Sequence, residues 1–276
     1  MKKILWFSCG ATSAVACKLA LDKYGKDNCL IAYIGIKSAH EDNFRFIKDC
    51  EKWYGSKIET FSSKKYKDQF EVMHKKKFIN SPYGAPCTLV LKKEVRQKIE
   101  KEVEFDGQIF GFEFEKREIN RAIRFEEQYP YTMPIYPLIE NKLSKAECMA
   151  ILESVGIELP TMYKLGYHNN NCIGCTKGGM GYWNKIRIDF PSVFQKMLDV
   201  EEYVGATALK KPMKDLKPTD GRHEDPISPS CGLFCQVDFE DIMSERVDEI
   251  IKGDNIKSEH EAQAIIEKLV KTNINN

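Results

Sequence analysis

The chain has 276 residues, 42% of them hydrophobic and 30% charged, and a formal net charge of +1. That composition can bury a substantial core and excludes a disordered chain, while the small net charge excludes an overall field that would gather nucleic acid or membrane. No run approaches the roughly 18 apolar residues of a membrane span, and the apolar stretch after Lys2 and Lys3 stops at Ser8, as in a buried first strand and not an export signal, so a cytoplasmic protein is expected.

Residues 3–8 read as a strand and residues 12–24 as a helix with Val15, Leu19 and Leu21 among its apolar positions. A second strand is predicted over 30–35. A helix over 41–54 follows, with Phe44, Ile47 and Trp53 as core residues, and then a third strand over 57–61. A helix over 91–104 leads to a fourth strand over 108–114. This alternation predicts an α/β fold with a mostly parallel, doubly wound sheet, whose ligands bind beyond the carboxyl ends of the strands. Ser144 and Glu147 form a capping-box pattern that opens a helix ending near Val155 and Gly156. Residues 163–183 are rich in Gly and Asn and read as a loop, residues 189–204 as a helix, and the proline-bearing stretch 210–230 as a loop. Two helices, over 239–252 and 258–271, are predicted to close the chain.

Ser8, Cys9, Gly10, Ala11, Thr12 and Ser13 join the first strand to the first helix. Small residues there let the backbone approach an anion, free amides at the helix start hold it, and hydroxyls add donors. The stretch is therefore read as a phosphate loop.

The ten cysteines fall into two kinds. Cys17, Cys29, Cys50 and Cys148 sit singly in apolar-periodic segments and read as packed core thiols. Cys9, Cys87, Cys172, Cys175, Cys231 and Cys235 lie in turn-like surroundings, which points to metal or redox chemistry. Cys172 with Cys175, and Cys231 with Cys235, make two close pairs, the pattern of a tetrahedral thiolate site for zinc or an iron–sulfur cluster. Between the pairs, Lys177, Tyr182, Trp183, Lys185 and Arg187 combine cations, aromatics and glycines, as at a nucleic-acid edge, although Trp183 also reads as core. His168 reads as a surface residue, and Lys64, Lys65 and Lys75 to Lys77 as solvated faces.

The loop from Ser8 to Ser13 resembles the Ser-Gly-Gly-x-Asp-Ser loop of the PP-loop ATP pyrophosphatases, the adenine nucleotide alpha hydrolases, with Cys9 in place of a glycine and Thr12 in place of the aspartate. Further segments are similar to the phosphoadenylyl-sulfate (PAPS) reductase branch of that superfamily. They are Tyr33, Ile34 and Gly35 with the residues that follow; Pro86, Cys87 and Thr88 with Leu91 and Lys92; Gly111 with Glu115, Arg117, Arg121 and Ala122; and the stretch from Pro137 to Gly166 and Tyr167. The resemblance covers residues 1–185. It implies that Ser8, Gly10, Thr12 and Ser13 contact phosphate, that Tyr33, Ile34 and Gly35 lie near adenine or ribose, and that Lys92 and Arg121 bind anions. It also implies ATP with magnesium, or PAPS or adenylyl sulfate, as the nucleotide, and Cys87 as a ligand or nucleophile. With Cys172 and Cys175, Cys87 would hold three irons of a [4Fe–4S] cluster whose fourth iron carries sulfide. Cys231, followed by Gly232 and Leu233, resembles the nucleophilic tail of PAPS reductases, with Ser230 and Phe234 in place of the tail's Glu and His.

The expected organisation is a nucleotide-binding PP-loop domain over 1–160 and a cysteine-rich metal-site region over 161–276. The expected activity is adenylation of an acceptor, a nucleobase or small metabolite, for sulfur transfer from an unidentified donor. PAPS or adenylyl-sulfate reduction by Cys231 is the alternative, and a non-catalytic nucleotide- or nucleic-acid-binding module with a structural metal is the third reading. A homo-oligomer is left open.

Overall fold

The computed structural model describes residues 2–81 and 84–222. The predicted α/β architecture is present. Five parallel strands form one sheet in the order β3-β2-β1-β4-β5, with β1 Lys2–Phe7, β2 Cys29–Ile34, β3 Ile58–Phe61, β4 Phe105–Ile109 and β5 Pro134–Ile135. The register pairs Leu5 with Ile31 on one side and with Ile109 on the other.

Alternation along β1 assigns the two faces, because successive side chains of a strand point to opposite sides. Leu5 and Phe7 pack into a cluster with Val15 of α1 (Ala11–Tyr24), Phe46 of α2 (Asn43–Tyr54) and Leu152 from farther along the chain. Ile4 packs on the opposite face against Val95 and Ile99. Helices therefore cover both faces, which makes a doubly wound sheet. Ala14, Ala16, Cys17 and Ala20 are buried on α1, and these small residues let it lie close against the sheet.

Helix α3 (Gln69–Lys76) follows β3, and α4 (Pro86–Thr88) runs through a π turn (Leu89–Lys93) into α5 (Glu94–Glu102). Then come α6 (Lys116–Gln128), α7 (Pro137–Glu140), α8 (Lys145–Ser154), α9 (Thr161–Lys164), α10 (Met180–Asp189) and α11 (Pro191–Val204). The capping box at the start of α8 is formed: Glu147 N donates to Ser144 Oγ at 3.3 Å, and Ser144 N donates to Glu147 Oε2 at 2.7 Å. A second apolar cluster unites Met162, Trp183, Ile186, Phe194 and Met213 with Met73 and Ile79 from the first half of the chain. Among the described residues no helix is long and apolar enough to cross a membrane.

Four sequence expectations change. The fourth strand starts at Phe105 and ends at Ile109; beyond it the chain stays extended, with Phe110 N donating to Ile135 O at 3.0 Å and Phe114 N to Leu143 O at 2.8 Å. Phe44 is 73% exposed, not core, because the inward stripe of α2 runs through Asn43, Phe46, Cys50 and Tyr54 and turns its neighbour outward. Helix α10 starts at Met180, inside the stretch read as a loop. Its Gly181 is there for space: a Cβ would lie 1.9 Å from the carbonyl oxygen of Arg222. Helices α3 and α6 were not anticipated at all. The core thiols are as expected, since Cys17, Cys29, Cys50 and Cys148 are all buried in the cluster beneath α1. Burial pushes Cys29 up to about 11 and Cys50 to about 12. Trp183 is fully buried, the core alternative for that residue. The closing helices predicted over 239–252 and 258–271, with Cys231 and Cys235, lie outside the described residues.

Candidate functional site

The order of the strands reverses between β1 and β4, and the turn after β1 sits at that reversal, where open α/β sheets bind their ligands. Residues 8–10 lead from Phe7 into α1. Cys9 adopts φ +58, the left-handed region that favours glycine, which costs a side-chain-bearing residue about 1–2 kcal/mol. That conformation turns the chain sharply enough for Gly10, in extended geometry, to cap α1.

Ser13 holds the loop from inside. Its Oγ accepts from Ser8 N at 3.0 Å and Gly10 N at 3.3 Å, and donates to Gly10 O at 2.9 Å. The hydroxyl is consumed by the loop and buried, so it shapes the loop without lining the cavity above it. Gly111, just past β4, supports the loop from below: a Cβ there would stand 2.8 Å from both Ser13 N and Ser13 Cα.

A polar chain ties the loop to the segment that carries the CxxC. Asn170 Nδ2 donates to Cys9 O at 2.7 Å and to Asn43 Oδ1 at 2.8 Å, and Asn43 Nδ2 donates to Tyr33 Oη at 3.3 Å. Ala11 N donates to Tyr163 Oη at 3.3 Å. Burial pushes the Tyr163 phenol up to about 12, so it stays protonated at neutral pH. The Cys9 thiol, wholly buried, is also pushed far above its ordinary range, which removes it as a nucleophile.

Above the loop opens a cavity of about 690 Å³. Ser8, Gly10 and Thr12 form one wall; Ala32, Tyr33, Ile34 and Ile36 form an apolar recess at the end of β2. Six cations line the remainder: Lys92, Lys93 and Arg96 around the start of α5, Arg121 and Arg124 on α6, and Lys177. Among the described residues no Asp or Glu lines the cavity. Two of the guanidinium groups have carboxylate partners behind them, Arg96 with Glu100 at 3.2 Å and Arg121 with Glu118 at 3.0 Å, so the wall remains net positive. An apolar recess at one end and hydroxyls, amides and cations at the other match a nucleoside carrying several anionic groups.

Cys172 lies on the rim of this cavity. Burial pushes its thiol up, and the charge of Lys92 works in the opposite direction; Cys175 and Cys87 are close enough to act on it as well. Cys87 Sγ sits 3.6 Å from Thr176 Oγ1. The CxxC turn is closed by Tyr182, whose Oη accepts from Gly174 N and Cys175 N, each at 3.0 Å, and donates to Cys172 O at 3.2 Å. Gln69 Nε2 donates to Ile173 O at 2.8 Å and fixes the turn to α3.

The fold thus brings together most of the residues singled out in sequence. Ser8, Gly10, Thr12, Tyr33, Ile34, Lys92 and Arg121 line one cavity, with Cys172 at its edge. Cys9, Ala11 and Ser13 are buried within the loop. Gly35 faces a separate depression with Phe44 and Thr60, and Cys87 stands beside the rim without lining the cavity. Asn43, Tyr163, Asn170, Lys93, Arg96 and Arg124 are site residues that sequence reasoning missed. Only the basic character of the 92–96 stretch and of α6 signalled the last three.

Magnesium binds through carboxylates and phosphate oxygens; among the described residues this cavity offers the hydroxyls of Ser8, Thr12 and Thr88 and no carboxylate, a lining that does not fit a protein-held magnesium. Among the described residues no group of three or more His, Cys, Asp or Glu side chains is placed to hold a metal ion. Cys172 and Cys175 are half of the expected four-thiolate set, whose other half lies outside the described residues.

Residues 2–178, from β1 through the CxxC and so more than half of the chain, match the phosphoadenosine phosphosulfate reductase domain. No curated protein matches the chain.

Proposed function

The chain belongs to the phosphoadenosine phosphosulfate reductase domain family, and on that premise we propose that it is an adenine-nucleotide-dependent enzyme that adenylates an acceptor for sulfur transfer. The observation that carries this reading is the position of Cys172, a thiol on the rim of the cavity that the phosphate loop and Lys92 also line. In this reading the adenine occupies the recess at Tyr33 and Ile34, and the phosphates lie against Ser8, Gly10, Thr12 and the cations Lys92, Lys93, Arg96, Arg121 and Arg124.

The acceptor oxygen attacks the α-phosphorus, the bond to the β-phosphate oxygen breaks, and pyrophosphate leaves with the electron pair. Lys92 and Arg121 stabilise the charge that develops on it, as preorganised cations do in phosphoryl and nucleotidyl transfer. A sulfur nucleophile then attacks the adenylated carbon, and AMP departs. The cationic wall takes over charge neutralisation that magnesium would otherwise share, which suits a loop with Thr12 where a carboxylate is the rule in the resembled motif. Cys172 and Cys87 are the proposed sulfur-handling thiols; a structural metal held by Cys172, Cys175, Cys231 and Cys235 is the alternative use of the same cysteines.

One observation favours a second reading. Cations around the start of α5 and on α6, lining one cavity, also suit a nucleotide with an extra phosphate and a sulfate, as in PAPS. A cysteine thiolate would then attack the sulfur and expel adenosine 3′,5′-bisphosphate, and an external dithiol would release sulfite from the S-sulfocysteine, restoring the thiol and becoming a disulfide. The deciding experiment incubates purified protein with ATP or with PAPS and a dithiol, and follows pyrophosphate and sulfite. Pyrophosphate from ATP without sulfite from PAPS supports adenylation; sulfite alone supports the reductase; neither product, with nucleotide bound, leaves a binding module.

A further inference from the structure

The CxxC turn is a partition. Cys172 lines the nucleotide cavity, whereas Cys175 lines a second cavity of about 560 Å³ on the other side of the turn. Asn169, Asn171 and Lys177 line both, so the two spaces adjoin.

The second cavity has a distinct chemistry. Among the described residues its cations are Lys177, Lys185 and Arg222, and none of the described residues in its lining is Asp or Glu. Lys185 reaches Asp189 at 3.1 Å and lies 4.9 Å from the centre of the Tyr167 ring. The rings of Tyr167 and Tyr182 stand edge to face at 5.7 Å in the wall. Much of the remaining surface is backbone of Gly178, Gly179 and Gly181. Two of these glycines are filled against neighbours, Gly178 by the Tyr182 ring and Gly181 by Arg222 O, but a Cβ on Gly179 would meet nothing within 4 Å.

We propose that this second cavity binds the acceptor as a nucleoside phosphate, with phosphate held by Lys177 and Arg222 and the nucleoside against the tyrosine wall. Its volume is that of a single small-ligand site, and cations beside aromatic rings are the pairing that phosphate and base select. The role as acceptor rests on the adenylation reading; the binding itself does not. The two sources of the ligand are a free nucleotide and one unit of a single strand.

The test uses the full chain with saturating ATP, and titrates uridine 5′-monophosphate by calorimetry and a fluorescent ten-nucleotide oligouridylate by anisotropy. Binding of the monomer identifies a free nucleotide, and binding of the oligomer alone identifies a strand. The discriminating variants touch only the second cavity. Gly179→Phe fills open space at φ −78, a conformation any residue adopts, so the fold is retained; Arg222→Glu reverses an exposed charge. Each is expected to weaken the uridine ligand about tenfold or more, equivalent to about 1.4 kcal/mol, while ATP affinity stays within twofold. The bound uridine ligand should slow iodoacetamide modification of Cys175, and ATP that of Cys172. The proposal is overturned if neither uridine ligand binds, if both variants bind it as the parent does, or if only Cys172 is protected. Failure of ATP to bind would remove the adenylation reading, and the same titrations without ATP would still decide this one.

Discussion

The side-chain amide of Asn170 donates to the main-chain carbonyl of Cys9 at 2.7 Å, across 161 residues of sequence. One hydrogen bond thus joins the phosphate loop to the segment that carries the thiols. The same amide also holds Asn43, which reaches Tyr33 in the apolar recess.

Asn170→Ala should therefore loosen both ends of the site at once. Loss of two part-buried bonds is worth about 1–3 kcal/mol, and nucleotide affinity should fall by about tenfold. Paired calorimetric titrations of the parent and variant check this; unchanged affinity would make the bond incidental.

Gly111→Ala tests the support under the loop. The added methyl would stand 2.8 Å from Ser13 backbone, far inside contact distance, and the obstacle is main chain that cannot rotate away. Nucleotide binding should drop by more than tenfold, equivalent to over about 1.4 kcal/mol. A lower melting temperature is expected alongside. Full retention of affinity would show that the loop can shift without consequence.

Gly181→Ala should have the reverse of its usual sign. In an exposed helix interior this change stabilises by about 1 kcal/mol. Here the new Cβ would lie 1.9 Å from Arg222 O, so thermal unfolding is expected several degrees lower, with the segment at Gly221 and Arg222 displaced from α10. A raised melting temperature would contradict the contact.

Tyr182→Phe removes the hydroxyl that closes the CxxC turn. Iodoacetamide should then modify Cys172 and Cys175 faster than in the parent, as quantified by mass spectrometry of the peptide that contains both. Equal rates would assign the rigidity of the turn to Gln69 instead.

Glu113 provides a pH signature. Burial pushes its carboxyl up to about 7, against the opposing pull of Lys145 at 3.8 Å. An unfolded glutamate titrates near 4.5, so between about 4.5 and 7 the folded chain binds the extra proton and stability falls as pH rises. Glu113→Gln keeps the neutral form at every pH. Its melting temperature should exceed the parent's above pH 7, and the gap should close toward pH 5. A gap independent of pH would refute the assignment.

How much of this was legible beforehand follows from the kind of signal each residue carries. The strand from Lys3, the loop at Ser8 and the helix after it announce themselves through local pattern, since apolar alternation, small residues and 3.6-residue periodicity are all short-range. Lys92 and Arg121 were found because a motif surrounds them. Asn170, Asn43 and Tyr163 carry no such signal: each is an ordinary loop or helix-start residue until the fold brings distant segments together. Helix α10 was hidden for the opposite reason. Gly178, Gly179 and Gly181 around its start argue locally for a loop, and only the carbonyl of Arg222, 41 positions later, shows why position 181 is glycine. Ser13 is legible as a loop hydroxyl, but that its Oγ is bonded within the loop is not, because a hydroxyl that shapes a loop and one that grips a ligand look alike in sequence.

The shared direction of the five strands has a practical consequence. The nucleotide cavity opens at the carboxyl ends of β1 and β2, and Lys3 Nζ, 3.3 Å from Asp106, stands at the opposite ends of the strands. The chain has a chemical front and a mechanical back. A dye or surface tether attached at exposed Asp27, in the turn that precedes β2, would report on unfolding or anchor the molecule for single-molecule work with its front still open to ligand.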